Sequence, residues 1–352
     1  SARRDLAWGP FTRFEGGLAY NQRDKDVQSD AFRLSLASPS VPIPAAALGS
    51  PAVIAVGGIN TRVLTWDVPA IMGLYQVVPK DPWSAKDNKY AVHEKVTTAF
   101  AKLDVDSQWG SVPVRGNVGL QVVRTQQNSD GFAWNDAGGT PGATGANVVP
   151  VSGGATYTDV LPSLNLVFNL RPDLVARLGL AKTMARPRMD DMRAGADQPK
   201  LVAVAPGSTI GSWQAGNGGK PDLKPWRAKS LDFSLEKYFG KTSYMAVAGF
   251  YKKLDSFIYQ QTTVRDFSGF PNYSTTLVPG CSAAQPDCNP NLGTITTQDN
   301  GQGGKVYGLE LSASLEASLL FPSLQGFGVI LSESVTRNSL PKDRNGNPIN
   351  LD

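Results

Sequence analysis

Apolar and polar residues alternate with period two over long stretches of the chain. Leu231, Phe233 and Leu235 stand against Ser230, Asp232, Ser234 and Glu236 without an exception. Ala99, Ala101, Leu103 and Val105 alternate with Lys102, Asp104 and Asp106, and Leu164, Leu166, Phe168 and Leu170 with Ser163, Asn165 and Asn169. The same rhythm runs through Val118, Leu120 and Val122, and again through Tyr307, Leu309, Leu311, Ala313 and Leu315. Weaker versions fall near 12–21, 174–184, 243–254 and 326–336. Side chains on a strand point alternately to its two faces, so each stretch predicts a strand with one apolar and one polar side. The count is about nine strands of ~10 residues or more, with no amphipathic helix.

The connections alternate in length. Short turns are expected at 109–113, 171–173 and 240–242, with a somewhat longer link over 315–326. Long segments rich in Gly, Asn, Asp, Pro and Ser cover about 30–92, 128–156, 188–227, 261–304 and 337 onward. Structureless loops of that size are uncommon in a compact soluble domain. Short turns at one end and long loops at the other are the pattern of an antiparallel transmembrane β-barrel, with periplasmic turns and extracellular loops. A soluble β-sandwich or propeller would share the alternation. The strands, however, exceed the ~5–6 residues usual in globular sheets. Aromatic residues also flank the short turns, at Phe11, Trp109, Tyr238, Phe239, Tyr244, Phe321 and Phe327, where an interfacial girdle belongs.

Composition fits this picture. The 352 residues carry 18% charged residues, 36 Gly and 25 Pro. No run approaches the ~18 apolar residues of a transmembrane helix. A net charge of +4, scattered along the chain, leaves no nucleic-acid footprint. With one histidine and two cysteines, the ~4 Cys/His ligands of a zinc site are not available. We expect no metal, no cofactor and no catalytic residues. Nine strands is an odd number and single-chain barrels are even, so the chain is expected to be an internal segment of a larger barrel. An open sheet would leave unpaired edges in hydrocarbon.

Several stretches resemble TonB-dependent outer-membrane receptors. Leu178-Gly-Leu-Ala-Lys-Thr-Met-Ala-Arg-Pro187 is similar to the strand-to-loop segment of that family, and Gly219-Lys-Pro-Asp-Leu-Lys-Pro225 to its Gly-Asn-Pro-x-Leu-Lys-Pro element, with Lys220 in place of Asn. Val247-Ala-Gly-Phe-Tyr-Lys-Lys253 and Gly304-Lys-Val-Tyr-Gly-Leu-Glu310 resemble later strands. The resemblance implies a large barrel filled by an N-terminal plug and coupled through TonB to the inner membrane. Residues 1–352 would then be part of the C-terminal barrel domain in the bacterial outer membrane. The plug, the TonB box and the closing strands would lie outside this chain. The implied function is active uptake of a bulky nutrient of the siderophore, oligosaccharide or cobalamin class. Its partners would be membrane lipid, TonB and a small-molecule or oligosaccharide ligand. A passive porin and a soluble or surface glycan-binding module are the alternatives.

Pro221 and Pro225 fix φ and remove donors, so their element reads as architectural, stopping a loop and aiming the chain into a strand. Arg186, biased to extended backbone by Pro187, is a rim residue and a candidate ligand contact. Loop aromatics are the other candidates, as stacking platforms or as loop packing: Trp66 and Trp83, then Trp134, Trp213, Phe270 and Tyr273. Cys281 and Cys288 close a short loop and read as a disulfide in an oxidising compartment, against the alternative of two free thiols. Asp190-Asp191 reads as a solvated pair and His93 as a rim residue.

Overall fold

The computed structural model describes residues 1–28, 32–36, 38, 40–56, 59–79, 89–134, 148–195, 200–201, 209–211, 213–240, 242–267, 289, 291–319, 321–343, 346 and 349. Its strands are β1 (Ala2–Trp8), β2 (Phe11–Val27), β3 (Phe32–Leu36), β4 (Ala52–Val56), β5 (Ile59–Val63), β6 (Tyr75–Pro79), β7 (Tyr90–Trp109), β8 (Val112–Trp134) and β9 (Val148–Arg171). They continue with β10 (Leu174–Ala185), β11 (Lys200–Leu201), β12 (Trp213–Gly218), β13 (Trp226–Phe239), β14 (Ser243–Asp266), β15 (Leu292–Gly301), β16 (Lys305–Glu316) and β17 (Gly328–Ser339). One five-residue helix, α1 (Val68–Met72), is capped by the Asp67 carboxylate on the Ala70 amide.

Ten strands form a continuous antiparallel wall in the order β1-β2-β7-β8-β9-β10-β13-β14-β16-β17. Nine of them are the strands that alternation predicts. The tenth, β1, escapes it because Arg3, Arg4 and Asp5 leave no apolar column. The wall strands also run far into the segments read as loops, with β7, β8, β9 and β14 at 20, 23, 24 and 24 residues. A bilayer needs only ~9–11. The upper half of β14 leaves the wall to pair with β15, which in turn pairs in parallel with β12. β3 with β6 forms a small two-stranded antiparallel sheet, and β4 with β5 a small hairpin, inside the first long connection. The sheet is open, with β1 at one edge and β17 at the other.

The short turns all lie at one end. Gly9, Gly110 and Gly240 adopt positive φ there, a conformation that costs other residues a Cβ clash. Aromatic rings gather at this end: Trp8 lies tilted against Phe11, Trp109 meets Phe168 edge-on, and Tyr238 approaches Tyr244. They form the expected interfacial girdle.

Register carries the apolar columns straight across the wall. Leu166 faces Leu178, which faces Phe233, then Gly249, Leu309 and Val335. These side chains look outward, and Phe233, Leu309 and Val335 are more than half exposed. So broad an apolar face would not be stable in water; it is a lipid-facing band. The inner face carries polar groups that pair with one another, as Arg3 and Lys102 do with Glu15, Arg177 with Glu236, and Asn165 with Asn117.

Two neighbouring substitutions separate the faces. Leu309→Arg is expected to cost ~2–4 kcal/mol in urea unfolding of the full-length protein in phospholipid vesicles. Ser312→Arg, aimed inward, is expected to change stability by about 0.5 kcal/mol or less.

Candidate functional site at the upper lumen

Above the apolar band the wall's polarity inverts. On β7, Val92, Glu94 and Val96 point inward and are buried, while His93 points outward and meets Asp24 at 2.7 Å. The cause is the connection between β10 and β13. Its stretches around 190–194 and 220–225 fold back over the inner wall and replace water with protein.

This segment is fastened by hydrogen bonds from five strands. The Gln127 amide on β8 donates to the Pro221 and Leu223 carbonyls at 2.7 and 2.8 Å. Ser129 donates to the Ala91 carbonyl and accepts from the Ala194 amide, both at 2.8 Å. From β2 and β7, Lys25 and Tyr90 both donate to one oxygen of Asp190, at 2.5 and 2.6 Å. From β14, Ser256 donates to the Pro225 carbonyl, and on β15 Asp299 receives Lys220 at 2.6 Å. Asn300 brackets Lys224 by bonding both its amide and its carbonyl. Leu223, fully buried, packs with Val92 and Met192 under Tyr90, Met189 and Ile258. Gly131 permits the close approach, since a Cβ there would lie 2.2 Å from the Ala194 carbonyl oxygen. The Pro221–Pro225 element is therefore architectural, as its prolines suggest, and its anchor is Leu223.

A charged cluster lies on the same wall. Glu94 is fully buried, and one of its oxygens meets Arg23 on β2 at 2.6 Å and Arg186 at 2.5 Å. Beside it, Arg227 grips Asp159 with two bonds of 2.5 and 3.0 Å and lies over the Tyr157 ring at 5.5 Å. Among the described residues, Arg23, Arg186 and Arg227 pair with Glu94 and Asp159 alone, so this cluster carries one excess positive charge there. In the segment above, Lys25 and Tyr90 hold the Asp190 carboxyl below the usual range, whereas burial pushes the neighbouring Asp191 up.

The expected site residues fare differently. Arg186 sits at the rim and is committed to Glu94, with 27% of its side chain exposed. Trp66 is 52% exposed in the first long connection, where it bridges Leu48. No hydrogen bond or ring contact joins it to Arg186 among the described residues. Trp134 and Trp213 prove to be strand residues, paired with Val148 on β9 and with Gly293 on β15. Trp83, Phe270, Tyr273, Cys281 and Cys288 lie outside the described residues. Asp190 is a tether rather than part of a freely solvated pair. The sequence reading missed Arg23, Lys25, Glu94, Gln127, Asp159 and Arg227. Strand parity, extended upward, would have turned Glu94, Gln127 and Asp159 inward.

The family described as "TonB dependent receptor-like, beta-barrel" matches residues 4–351. The chain belongs to that family. It is thus a segment of an outer-membrane barrel, and its family is one of receptors and transporters rather than of enzymes. No curated protein matches. Among solved structures, the chain is similar to the ferric enterobactin receptor PfeA of Pseudomonas aeruginosa, at 13% identity over 97% of this chain and 43% of that one, TM-score 0.43. It is also similar to the outer-membrane transporter YddB of Escherichia coli, at 10% identity over 99% of this chain and 42% of that one, TM-score 0.41. The siderophore receptor PirA of Acinetobacter baumannii shares 12% identity over 99% of this chain and 44% of that one, TM-score 0.40. This receptor-barrel chain spans less than half the length of each of these structures.

Removing the Glu94 charge strands two guanidinium groups. Glu94→Gln is expected to cost ~3 kcal/mol, the low end for a broken buried pair because both arginines keep some water contact. Urea unfolding measures the loss, and faster proteolysis within 186–225 locates it. For Asp190, whose pKa is lowered in the folded state, the tether is complete above the ordinary carboxylate range and is lost as pH falls through the lowered value. Hydrogen exchange at 189–194 is expected to stay slow at neutral pH and to accelerate only in strong acid. Asp190→Asn should abolish that step.

Proposed function

We propose that this chain supplies wall and mouth to a TonB-coupled transporter that imports a bulky, anionic metal chelate of the siderophore class. The match to the receptor-barrel family across residues 4–351 carries the reading. The excess positive charge of Arg23, Arg186 and Arg227 over Glu94 and Asp159 favours an anionic ligand over a neutral oligosaccharide. The fastened segment argues against a passive porin, because it fills space that a wide aqueous channel keeps open. Trp66, exposed at the mouth side, is a stacking surface for the ligand, and Trp134, Trp213, Trp83, Phe270 and Tyr273 remain candidates of the same kind.

We place residues 1–352 in the C-terminal barrel domain of a longer receptor. The open edges of β1 and β17 each require another strand in hydrocarbon, and an N-terminal plug carrying the TonB box would couple the barrel to TonB. Partners are then outer-membrane lipid, TonB and the ligand. Cys281 and Cys288 would close a disulfide in an external loop.

Uptake assays with cells whose only receptor is the full-length protein test the reading, using ferric chelates, neutral oligosaccharides and cobalamin. Ferric-chelate uptake that vanishes without TonB is expected. Uptake unchanged by loss of TonB would overturn active transport, and uptake of oligosaccharide alone would overturn the anionic assignment.

A further inference from the structure

The outer face of the wall carries a row of lysines. Lys182 on β10 pairs in register with Lys229 on β13, Lys229 with Lys253 on β14, and Lys253 with Lys305 on β16. One pleat nearer the membrane, Leu231, Tyr251, Tyr307 and Arg337 form the next row, and the two tyrosines stack at 6.5 Å. Directly opposed like charges destabilise neighbouring strands. Only Lys229 has a carboxylate nearby, Asp255 at 3.9 Å; Lys182, Lys253 and Lys305 have none among the described residues. Glu333 is the other acid in these columns, four residues from Arg337 along β17.

The height of the row identifies what neutralises it. The stretch from Lys229 to Phe239, at ~3.3 Å per residue and a ~40° tilt, rises ~25 Å, the height of a barrel's apolar band. Phe239 lies at the short-turn end, so the lysines sit at the opposite boundary, where outer-leaflet headgroups begin. Below Arg337 a groove of about 620 Å³ runs down the lipid face, lined by Phe233, Gly249, Tyr251, Tyr307, Leu309 and Val335. Its floor is Gly249, where a Cβ would come within 3.3 Å of Leu309.

We propose that this face is a lipid site: Lys229, Lys253, Lys305 and Arg337 hold the phosphate groups of a phosphorylated outer-leaflet glycolipid, and the groove takes one of its acyl chains. The anion relieves the repulsion along the row, and the stacked tyrosines mark the level where chain gives way to headgroup. The site is independent of whatever ligand the lumen passes.

The test uses the full-length protein in non-ionic detergent, titrated with lipid A, with the same lipid dephosphorylated, and with inorganic phosphate, following thermal unfolding. Lipid A is expected to raise the Tm, and dephosphorylated lipid to do so far less. Combining Lys229→Gln, Lys253→Gln and Lys305→Gln should weaken lipid A binding on the order of fivefold per lysine. The corresponding triple Lys→Arg variant should retain binding and control for folding. Equal stabilisation of wild type and triple Gln variant, or by the two lipids, overturns the proposal. So does full stabilisation by inorganic phosphate alone, which would make this a free-anion site.

Discussion

Inside the hydrocarbon band a peptide group has only the neighbouring strand to bond to. That requirement sets the strand pairing of the wall, and pairing at period two sorts every side chain into lipid or lumen. The columns through Leu231, Phe233 and Leu235 and through Leu309 and Leu311 are the visible result. The polar partners of those columns are free to pair among themselves on the inside, so the inner wall is a lattice of small ion pairs and amide bonds rather than an apolar core.

Above the band water is available again and the constraint relaxes. There the segment between β10 and β13 takes over as organiser. It brings Leu223, Met192 and two prolines onto the inner wall, and the wall answers with Gln127, Ser129 and Ser256, which bond its carbonyls and amides. Arg23 and Arg186 tie β2 and the end of β10 to Glu94 on β7, so distant strands meet at a single carboxylate.

What was legible in the sequence follows from these two regimes. Alternation revealed nine wall strands because lipid punishes a polar residue on the outer face. It stopped at the band's upper edge because the rule reverses there: Val92 and Val96 turn inward against protein, while His93 and Lys95 face out. β1, with no apolar column, gave no signal. Arg186 was legible through its motif and its proline. Glu94 was not, because a lone acid in a polar stretch looks solvated until Arg23 and Arg186 are brought to it from distant sequence. Trp134 and Trp213 looked like loop residues because no apolar–polar alternation runs through the upper end of β8 or through β12.

The length of β8 and β9 has a consequence for whatever approaches from outside. At 23 and 24 residues, each strand spans more than 70 Å along its axis, roughly twice what the bilayer demands even when tilted. The surplus stands as a stiff collar in the surrounding medium. An incoming molecule therefore meets the paired backbone of β8 and β9 well before it reaches the lipid surface.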